Sequence, residues 1–500
     1  MNLPGLPSVR PLSGLPSARP VLAFASVGQD AAFGLAWLDE AVRRLRAAGL
    51  ASAGAGPVPA TVAGDGGEHP LVVAGLGDAD VQILRQRAAE AVALMRAHGH
   101  AACTIVLPAL DGSAAQAIAE GVFSANHRFR SAGPARDVRP HIEDIDFAAT
   151  DPDGPVADGL RAGWLTSLAA LSARDLATEP ANILTPPVFV ELCRVLAEKA
   201  GFGLTVMGRK ELEAAGMAGF MTVAAGSSHE PFLIRMDWQP AGIVGAAKPL
   251  VLVGKTVTFD SGGISLKKAE DMDHMKADMG GGAAVFGAMA MIAELQPRFP
   301  VTAVFAVVEN MPGPDAMRPS DVIRMASGTT VEIINTDAEG RLILADALHY
   351  AAGLQPAAVI DLATLTGASL GIFGPLGIGT FANDDRWFGR LEQADRQAGE
   401  KVWRLPLWPE YRAFLKSPVA DLRNFSTTGQ NGSTPVAAAF LSHFVGEHPW
   451  LHLDLYNTCW NRQDGALMPQ GPTGSGSRVL AQLILDLEAE AVSQQPNPES

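Results

Sequence analysis

The sequence predicts an α/β protein in two successive parts, a smaller one over residues 1–160 and a larger one over 161–500. Short apolar runs alternate with stretches whose apolar residues recur at steps of three and four, as in strand–helix–strand units with a parallel sheet. An acidic, Pro/Gly-rich stretch at Asp144–Gly159, with Asp-Pro-Asp-Gly-Pro at 151–155, reads as a linker between the parts. A chain of 500 residues has room for roughly two to three domains of ~150 residues each.

The elements follow in order. Residues 1–19 are rich in Pro, Ser and Gly and read as a loose arm. Pro20–Val27 is an apolar strand, and Phe33–Ala48 a helix. Pro70–Gly75 is the next strand. Val81, Leu84, Ala88, Val92 and Met95 then recur at helical spacing. Cys103–Leu107 is a strand and Ala114–Arg128 a helix. The histidines of this part (His69, His98, His100, His127, His141) have no partners at metal-ligand spacing and read as surface or capping residues. From Trp164 a helix leads into a Pro-rich turn ending at Pro187. Beyond it the alternation resumes with denser glycine loops, and no internal repeat is visible.

Composition narrows the function classes. Apolar residues make up 48% of the chain, which argues against general disorder. Lys and Arg number 38 against 53 Asp and Glu, a net charge of −15 that argues against nucleic acid or an anionic membrane as partner. Cys103, Cys193 and Cys459 are scattered and odd in number, which fits a reducing compartment and a cytoplasmic setting. Met1–Ser26 lacks a charged start followed by an apolar core, so no signal peptide is expected. Leu362–Asn383 carries no charge, but its threonines and glycines suit a buried strand with loops better than a membrane span.

Three segments carry the chemistry. VLVGKTVTFDSGG at 251–263, continuing to Ser265-Leu266-Lys267, places Lys255 and Asp260 on an apolar strand that ends in a glycine turn. MDHMKADMGGG at 272–282 sets Asp278 before a small-residue helix, Ala283–Leu295. NTDAEGR at 335–341 follows the strand Thr330–Ile334 and opens the helix Leu342–Ala352. Asp260, Asp278, Asp337 and Glu339, gathered at one mouth, would repel each other unless cations offset them. Carboxylate oxygens are hard ligands for divalent metals. Lys255 could join such a shell only as the neutral amine, a form that nearby dications favour. Taken singly, Asp337 and Glu339 could instead be a helix cap and a first-turn acid, and Gly280–Gly282 a packing surface.

Taken together, these strings closely resemble the leucyl aminopeptidase (cytosol aminopeptidase) family of dinuclear metallopeptidases. NTDAEGRLILADAL at 335–348 is the most specific; VGKTVTFDSGGISLK, MDHMKADMGG, ENMP at 309–312, RPSDVI at 318–323 and DLATLTGA at 361–368 match in order. The resemblance covers about 165–500 and extends weakly to VVAGLG at 72–77. It implies a smaller N-terminal α/β domain, then a catalytic domain with a mixed central sheet flanked by helices. It implies a metal-dependent aminopeptidase acting on the N-terminal bond of peptides through a two-metal-activated water. Two divalent ions per subunit, zinc or manganese, would be held by Lys255, Asp260, Asp278, Asp337 and Glu339. Lys267 would polarise the scissile carbonyl. Arg341 would grip a bicarbonate ion. The pocket for the first side chain would be lined by Met275, Thr364, Gly367, Tyr456 and Cys459. A cytoplasmic homohexamer is implied, and His274 matches a non-ligand position.

The sequence departs from the family at three places. Thr256 stands where Gly is common. Leu422–Phe440, expected near the site entrance, lacks the usual glycine/arginine run. Tyr456 and Asn457 replace small residues after Asp454-Leu455, so a filled pocket and a weaker preference for leucine are expected. The rival reading is a binding or regulatory protein on the same scaffold, for instance one that binds DNA; the net charge and the intact site positions weigh against it.

Overall fold

In a computed structural model, the chain is described over residues 9–11, 20–25, 36–47, 57–64, 67–75, 80–108, 110–129, 141–149, 153–241, 248–426 and 432–493. It divides into two compact units, Met1–Leu168 with Gln463–Gln470, and Ala169–Arg462 with Gly471–Ser500.

The first unit is built on six strands: β1 (Val9–Pro11), β2 (Val21–Ala25), β3 (Val58–Gly64), β4 (Gly67–Gly75), β5 (Ala102–Leu107) and β6 (Asp144–Ala149). Their order is β1-β6-β5-β2-β4-β3, parallel except for the antiparallel pair of β3 with β4. Helices α1 (Ala36–Ala47), α2 (Val81–Ala97) and α3 (Gly112–Asn126) alternate with these strands. Val21, Ala23, Leu71, Val73, Val106 and Ala148 of the sheet pack with Leu38 and Val42 of α1. Asp80 caps α2 by accepting the N–H groups of Gln82 and Ile83, and His98 closes it, its Nδ1 lying 2.8 Å from the Leu94 carbonyl. The buried Arg85 guanidinium donates to Glu120 at 2.6 Å, joining α2 to α3.

Three expectations are corrected here. The sheet is mixed at one edge, because β3 forms a hairpin with β4. Within the expected loose arm, Val9–Pro11 pairs with β6; the rest of 1–19 lies outside the described residues. The expected linker is instead strand β6 followed by the start of a helix. Asp144 and Asp146 obscured that strand, yet Phe147, Ala148 and Ala149 are buried. Pro155 does not interrupt the chain; it begins α4 (Pro155–Thr178), a position where the missing N–H of proline costs nothing.

The second unit carries an eight-stranded sheet made of β7 (Gly203–Met207), β8 (Phe232–Trp238), β9 (Leu250–Asp260), β10 (Val301–Asn310), β13 (Ala358–Ala363), β14 (Ile378–Ala382), β15 (Val402–Arg404) and β17 (Trp450–Asp454). Smaller pairings join β11 (Val322–Arg324), β12 (Thr330–Glu332) and β16 (Leu422–Arg423), and separately β18 (Trp460–Asn461) and β19 (Gly471–Pro472). The helices are α5 (Pro186–Ala200), α6 (Arg209–Ala214), α7 (Ala218–Val223), α8 (Gly280–Leu295), α9 (Gly340–Gly353), α10 (Leu370–Phe373), α11 (Asp385–Ala398), α12 (Ser433–Leu441) and α13 (Ser477–Ser493). The sheet order is β15-β14-β17-β13-β9-β10-β8-β7. The central strands β17, β13, β9 and β10 run parallel, with antiparallel pairings toward both edges. This is the mixed central sheet flanked by helices that the resemblance implied.

Strand β9 is buried at all but one position, as a central parallel strand covered on both faces must be. Its alternation assigns the covers. Val251, Val253 and Val257 join the core cluster that contains Leu342, Leu344 and Leu348 of α9, while Gly254 and Thr256 meet the first turn of α8. That turn approaches very closely. A Cβ on Gly281 would lie 1.9 Å from the Leu362 carbonyl oxygen, and one on Gly282 would lie 2.0 Å from Thr256 Oγ1. Leu362–Asn383 contains the end of β13, a short turn, α10 and β14. Among the described residues no helix is long and apolar enough to cross a membrane.

Candidate metal and peptidase site

The site forms where β9, β13 and β17 end, at their carboxyl edge, the usual place for ligands in a parallel sheet. Asp260 is the last residue of β9, and Lys255 lies five residues earlier on the face toward α9. Asp278 ends the 3-10 turn Met272–Ala277, just before α8. Asp337 and Glu339 occupy the loop between β12 and α9, and Arg341 lies in the first turn of α9. The structure thus brings together side chains that lie up to 86 residues apart in sequence.

Each group has definite partners. Lys255 Nζ lies 2.8 Å from Asp278 Oδ1, 3.0 Å from Glu339 Oε1 and 2.9 Å from the Thr364 carbonyl oxygen. Thr364 Oγ1 donates to Asp278 Oδ1 at 2.8 Å. Asp260 Oδ1 accepts the Gly262 N–H at 2.9 Å and the Asn310 amide at 2.8 Å. Lys267 Nζ lies 2.8 Å from Asp260 Oδ2 and pairs closely with Asp337 Oδ1. Carboxylate oxygens of Asp260, Asp337 and Glu339 all lie within 4.8 Å of one another.

Burial sets the electrostatics. Asp260 and Glu339 are only 2% and 1% exposed. Burial opposes the Lys255 ammonium, but Asp278, Glu339 and Asp260 outweigh it and lift its pKa above the ordinary lysine value. The same contest raises Lys267, with Asp260 and Glu339 as its main partners. Burial pushes the Asp278 carboxyl well up, and burial with Asp260 nearby pushes Asp337 to about 6. Burial lowers Arg341 to about 10. In this protonation state the two lysines are the cations that balance the carboxylates.

The donor set fits divalent metals. Asp278 Oδ2 and Glu339 Oε2 are buried with no hydrogen-bond partner among the described residues, an arrangement that is costly unless a cation takes the lone pairs.

The remaining sequence-predicted residues border this centre. Thr364 and Cys459 flank Gly280: a Cβ there would lie 3.1 Å from Thr364 Cγ2 and 3.8 Å from Cys459 Cβ. The Tyr456 ring stands against Gly367, whose added Cβ would meet it at 3.5 Å. Burial raises the Tyr456 pKa. The Cys459 thiol donates to the Tyr456 carbonyl at 3.1 Å, and burial pushes its pKa to about 12. Met275 is half-buried, and its carbonyl accepts the Asp278 N–H. His274 stacks on Trp460 with ring centroids 3.8 Å apart and stays outside the carboxylate group. Thr256 donates to the Gly254 carbonyl at 3.1 Å, so its hydroxyl is accommodated locally.

Sequence reading missed several supports. Asn310 lies inside the ENMP string, but nothing in the string indicates that its amide holds Asp260. Asp454 is fully buried and accepts the N–H groups of Leu365, Thr366 and Tyr456, fixing the two loops that carry Thr364, Gly367, Tyr456 and Cys459. The Thr364 carbonyl that receives Lys255 is main chain, so its residue type carries no signal.

Comparison with known proteins adds independent findings. Residues 171–481 match the family described as the cytosol aminopeptidase family, catalytic domain. A "probable cytosol aminopeptidase" of Roseiflexus castenholzii is 45% identical over 377 residues, covering 74% of this chain and 76% of the relative. One from Solibacter usitatus is 41% identical over 425 residues, covering 84% and 87%. Among solved structures, the bottromycin maturation enzyme BotP in complex with Mn superposes with a TM-score of 0.81 at 32% identity, covering 94% of this chain and 99% of that one. The family match spans more than half of the chain and coincides with the buried carboxylate centre, so this chain belongs to the cytosol aminopeptidase family of peptidases.

Proposed function

We propose that this protein is a metal-dependent aminopeptidase that hydrolyses the N-terminal peptide bond of peptides. The observation that carries this reading is a set of four carboxylates, three of them buried and Asp337 half-buried, flanked by Lys255 and Lys267, with Asp278 Oδ2 and Glu339 Oε2 unpaired among the described residues. Lys255, Asp260, Asp278, Asp337 and Glu339 would hold two divalent ions, zinc or manganese, which supply Lewis acidity toward water and the scissile carbonyl. The manganese complex of BotP, a relative in fold and sequence, supports a divalent metal on this scaffold.

The chain's own groups do the rest. A free α-amine is drawn to the carboxylate-rich mouth, which favours cleavage at the N-terminus. Lys267, about one-fifth exposed, directs its ammonium to the place where negative charge develops on the carbonyl oxygen. Arg341 would hold bicarbonate through its Nε, which is buried and has no partner among the described residues. We assign residues 161–500 as the catalytic domain and 1–160 as the smaller domain. We further expect a cytoplasmic homohexamer acting on short peptides.

Two measurements test this. Chelation is expected to abolish release of N-terminal residues, and added zinc or manganese to restore it; activity that persists in a demonstrably metal-free protein would refute the metal role. The second concerns specificity. The Tyr456 ring lies against Gly367, so it would narrow the proposed pocket for the first side chain. In a panel of amino-acid amides, small or polar first residues are expected to match or exceed leucine. Tyr456→Ala should raise the leucine-to-alanine ratio of kcat/KM by about tenfold or more. A dominant leucine preference in the unaltered enzyme would overturn the prediction.

A further inference from the structure

We propose that Asn424 is a positioning residue for the reaction: it sets the loop that carries Asp337 and aims Arg341. The proposal rests on the roles proposed above for Asp337, Glu339 and Arg341.

Strand β12 ends at Glu332 and α9 begins at Gly340, so the peptide groups between them have no regular ladder to join. Buried peptide groups need partners all the same. Asn424 is fully buried and supplies four contacts. Its Oδ1 accepts the N–H of Ile334 at 2.7 Å and of Asn335 at 3.3 Å. Its Nδ2 donates to the carbonyls of Asn335 at 2.7 Å and Ala338 at 3.2 Å. These peptide groups bracket Asp337 and immediately precede Glu339. The main chain of Asn424 is engaged as well. Its N–H donates to the Glu332 carbonyl at 2.9 Å, and its carbonyl accepts Arg341 Nη1 at 2.8 Å. The next residue, Phe425, places its ring 5.7 Å from the Arg341 guanidinium carbon.

The opposite side of the loop is fixed by other residues. Thr336 Oγ1 donates to the Gly262 carbonyl at 2.6 Å and accepts the Ser265 N–H at 2.7 Å. The loop is therefore held by the β9 turn and the Asn310 amide on one side and by the Asn424 side chain on the other. That side chain needs two donors and two acceptors at the length of asparagine. Aspartate has the length without donors, and glutamine has the groups one methylene too far out. Small displacements of catalytic groups carry large rate costs, so a residue that fixes three of them at once acts on rate and on metal affinity together.

The test uses the full-length enzyme with Mn2+ as the probe. Asn424→Asp sets carboxylate oxygens against the Asn335 and Ala338 carbonyls; Asn424→Ser withdraws the amide. For either variant, kcat is expected to fall about 10–100-fold and calorimetric Mn2+ affinity about tenfold, as for other residues that support metal ligands. KM for a dipeptide amide should change little, because the pocket residues are untouched. In an Arg341→Met background the kcat loss from Asn424→Asp should shrink, since the share transmitted through Arg341 is already gone. Mn2+ binding by the unaltered enzyme and Arg341→Met measured alone report on the proposed function; once the unaltered enzyme binds Mn2+, the change in affinity of the Asn424 variants reports on Asn424. A folded Asn424→Asp or Asn424→Ser enzyme with unchanged kcat and Mn2+ affinity would overturn the proposal. Loss of folding in both variants would also overturn it, assigning Asn424 to stability instead.

Discussion

Asp260→Ala is expected to reduce peptide hydrolysis by at least about a thousandfold, equivalent to about 4 kcal/mol of barrier. Asp260 is the carboxylate on which most of the site converges. Its Oδ1 is fixed by the Gly262 N–H and the Asn310 amide, and its Oδ2 faces Lys267. It also shares the close oxygen cluster with Asp337 and Glu339. Alanine removes the proposed hard ligand and leaves the buried Asn310 amide without that acceptor. It also frees Lys267 to move toward Asp337. Asp260→Asn separates these effects: it preserves the size and one acceptor while deleting the charge. Its activity should fall nearly as far if charge is what the centre needs, and only modestly if Asp260 merely supports the turn. Circular dichroism and bound-metal analysis would show that the fold survives while metal content drops. Full activity in Asp260→Ala would refute the metal reading.

The parts of this site that the sequence revealed are the ones compressed into short strings. Lys255, Asp260 and Lys267 lie on one strand and the turn after it, and Asp337, Glu339 and Arg341 lie within five residues. Glycines at strand ends marked where these side chains could meet. The supports were hidden because they act through groups that every residue carries, or through amides that read as turn residues. The Thr364 carbonyl, Asn310 and Asn424 are of this kind. Strand β6 was hidden for another reason: two aspartates and a downstream Asp-Pro-Asp-Gly-Pro resembled a linker, while burial between β5 and β1 decided the matter. Pocket shape was legible only as a volume change at Tyr456. That its ring lies against Gly367 needed the packing of β17 beside β13.

Gly282→Ala is expected to destabilise the catalytic unit by about 3 kcal/mol, the upper part of the range for overpacking. Thr256→Gly should restore most of that loss. The new Cβ would lie 2.0 Å from Thr256 Oγ1 and 2.9 Å from Thr256 Cβ, with the Lys255 carbonyl oxygen next at 3.1 Å. Thr256 cannot turn away freely, because it is fully buried on β9 and its hydroxyl donates to the Gly254 carbonyl. The first turn of α8 must therefore move off the sheet, and Asp278 directly precedes that turn. Activity should fall together with stability. Thr256→Gly alone should cost about 1 kcal/mol, through added chain entropy and a lost side chain. In the double variant both closest contacts are gone and only the 3.1 Å approach remains, within reach of a few tenths of an ångström of relaxation. Denaturant unfolding of the four proteins gives the coupling energy, expected to be about 2 kcal/mol favourable, with activity recovering in parallel. Additive costs would show that Gly282 is required for its backbone and not for the space Thr256 occupies. They would remove the packing explanation for how α8 delivers Asp278 to Lys255.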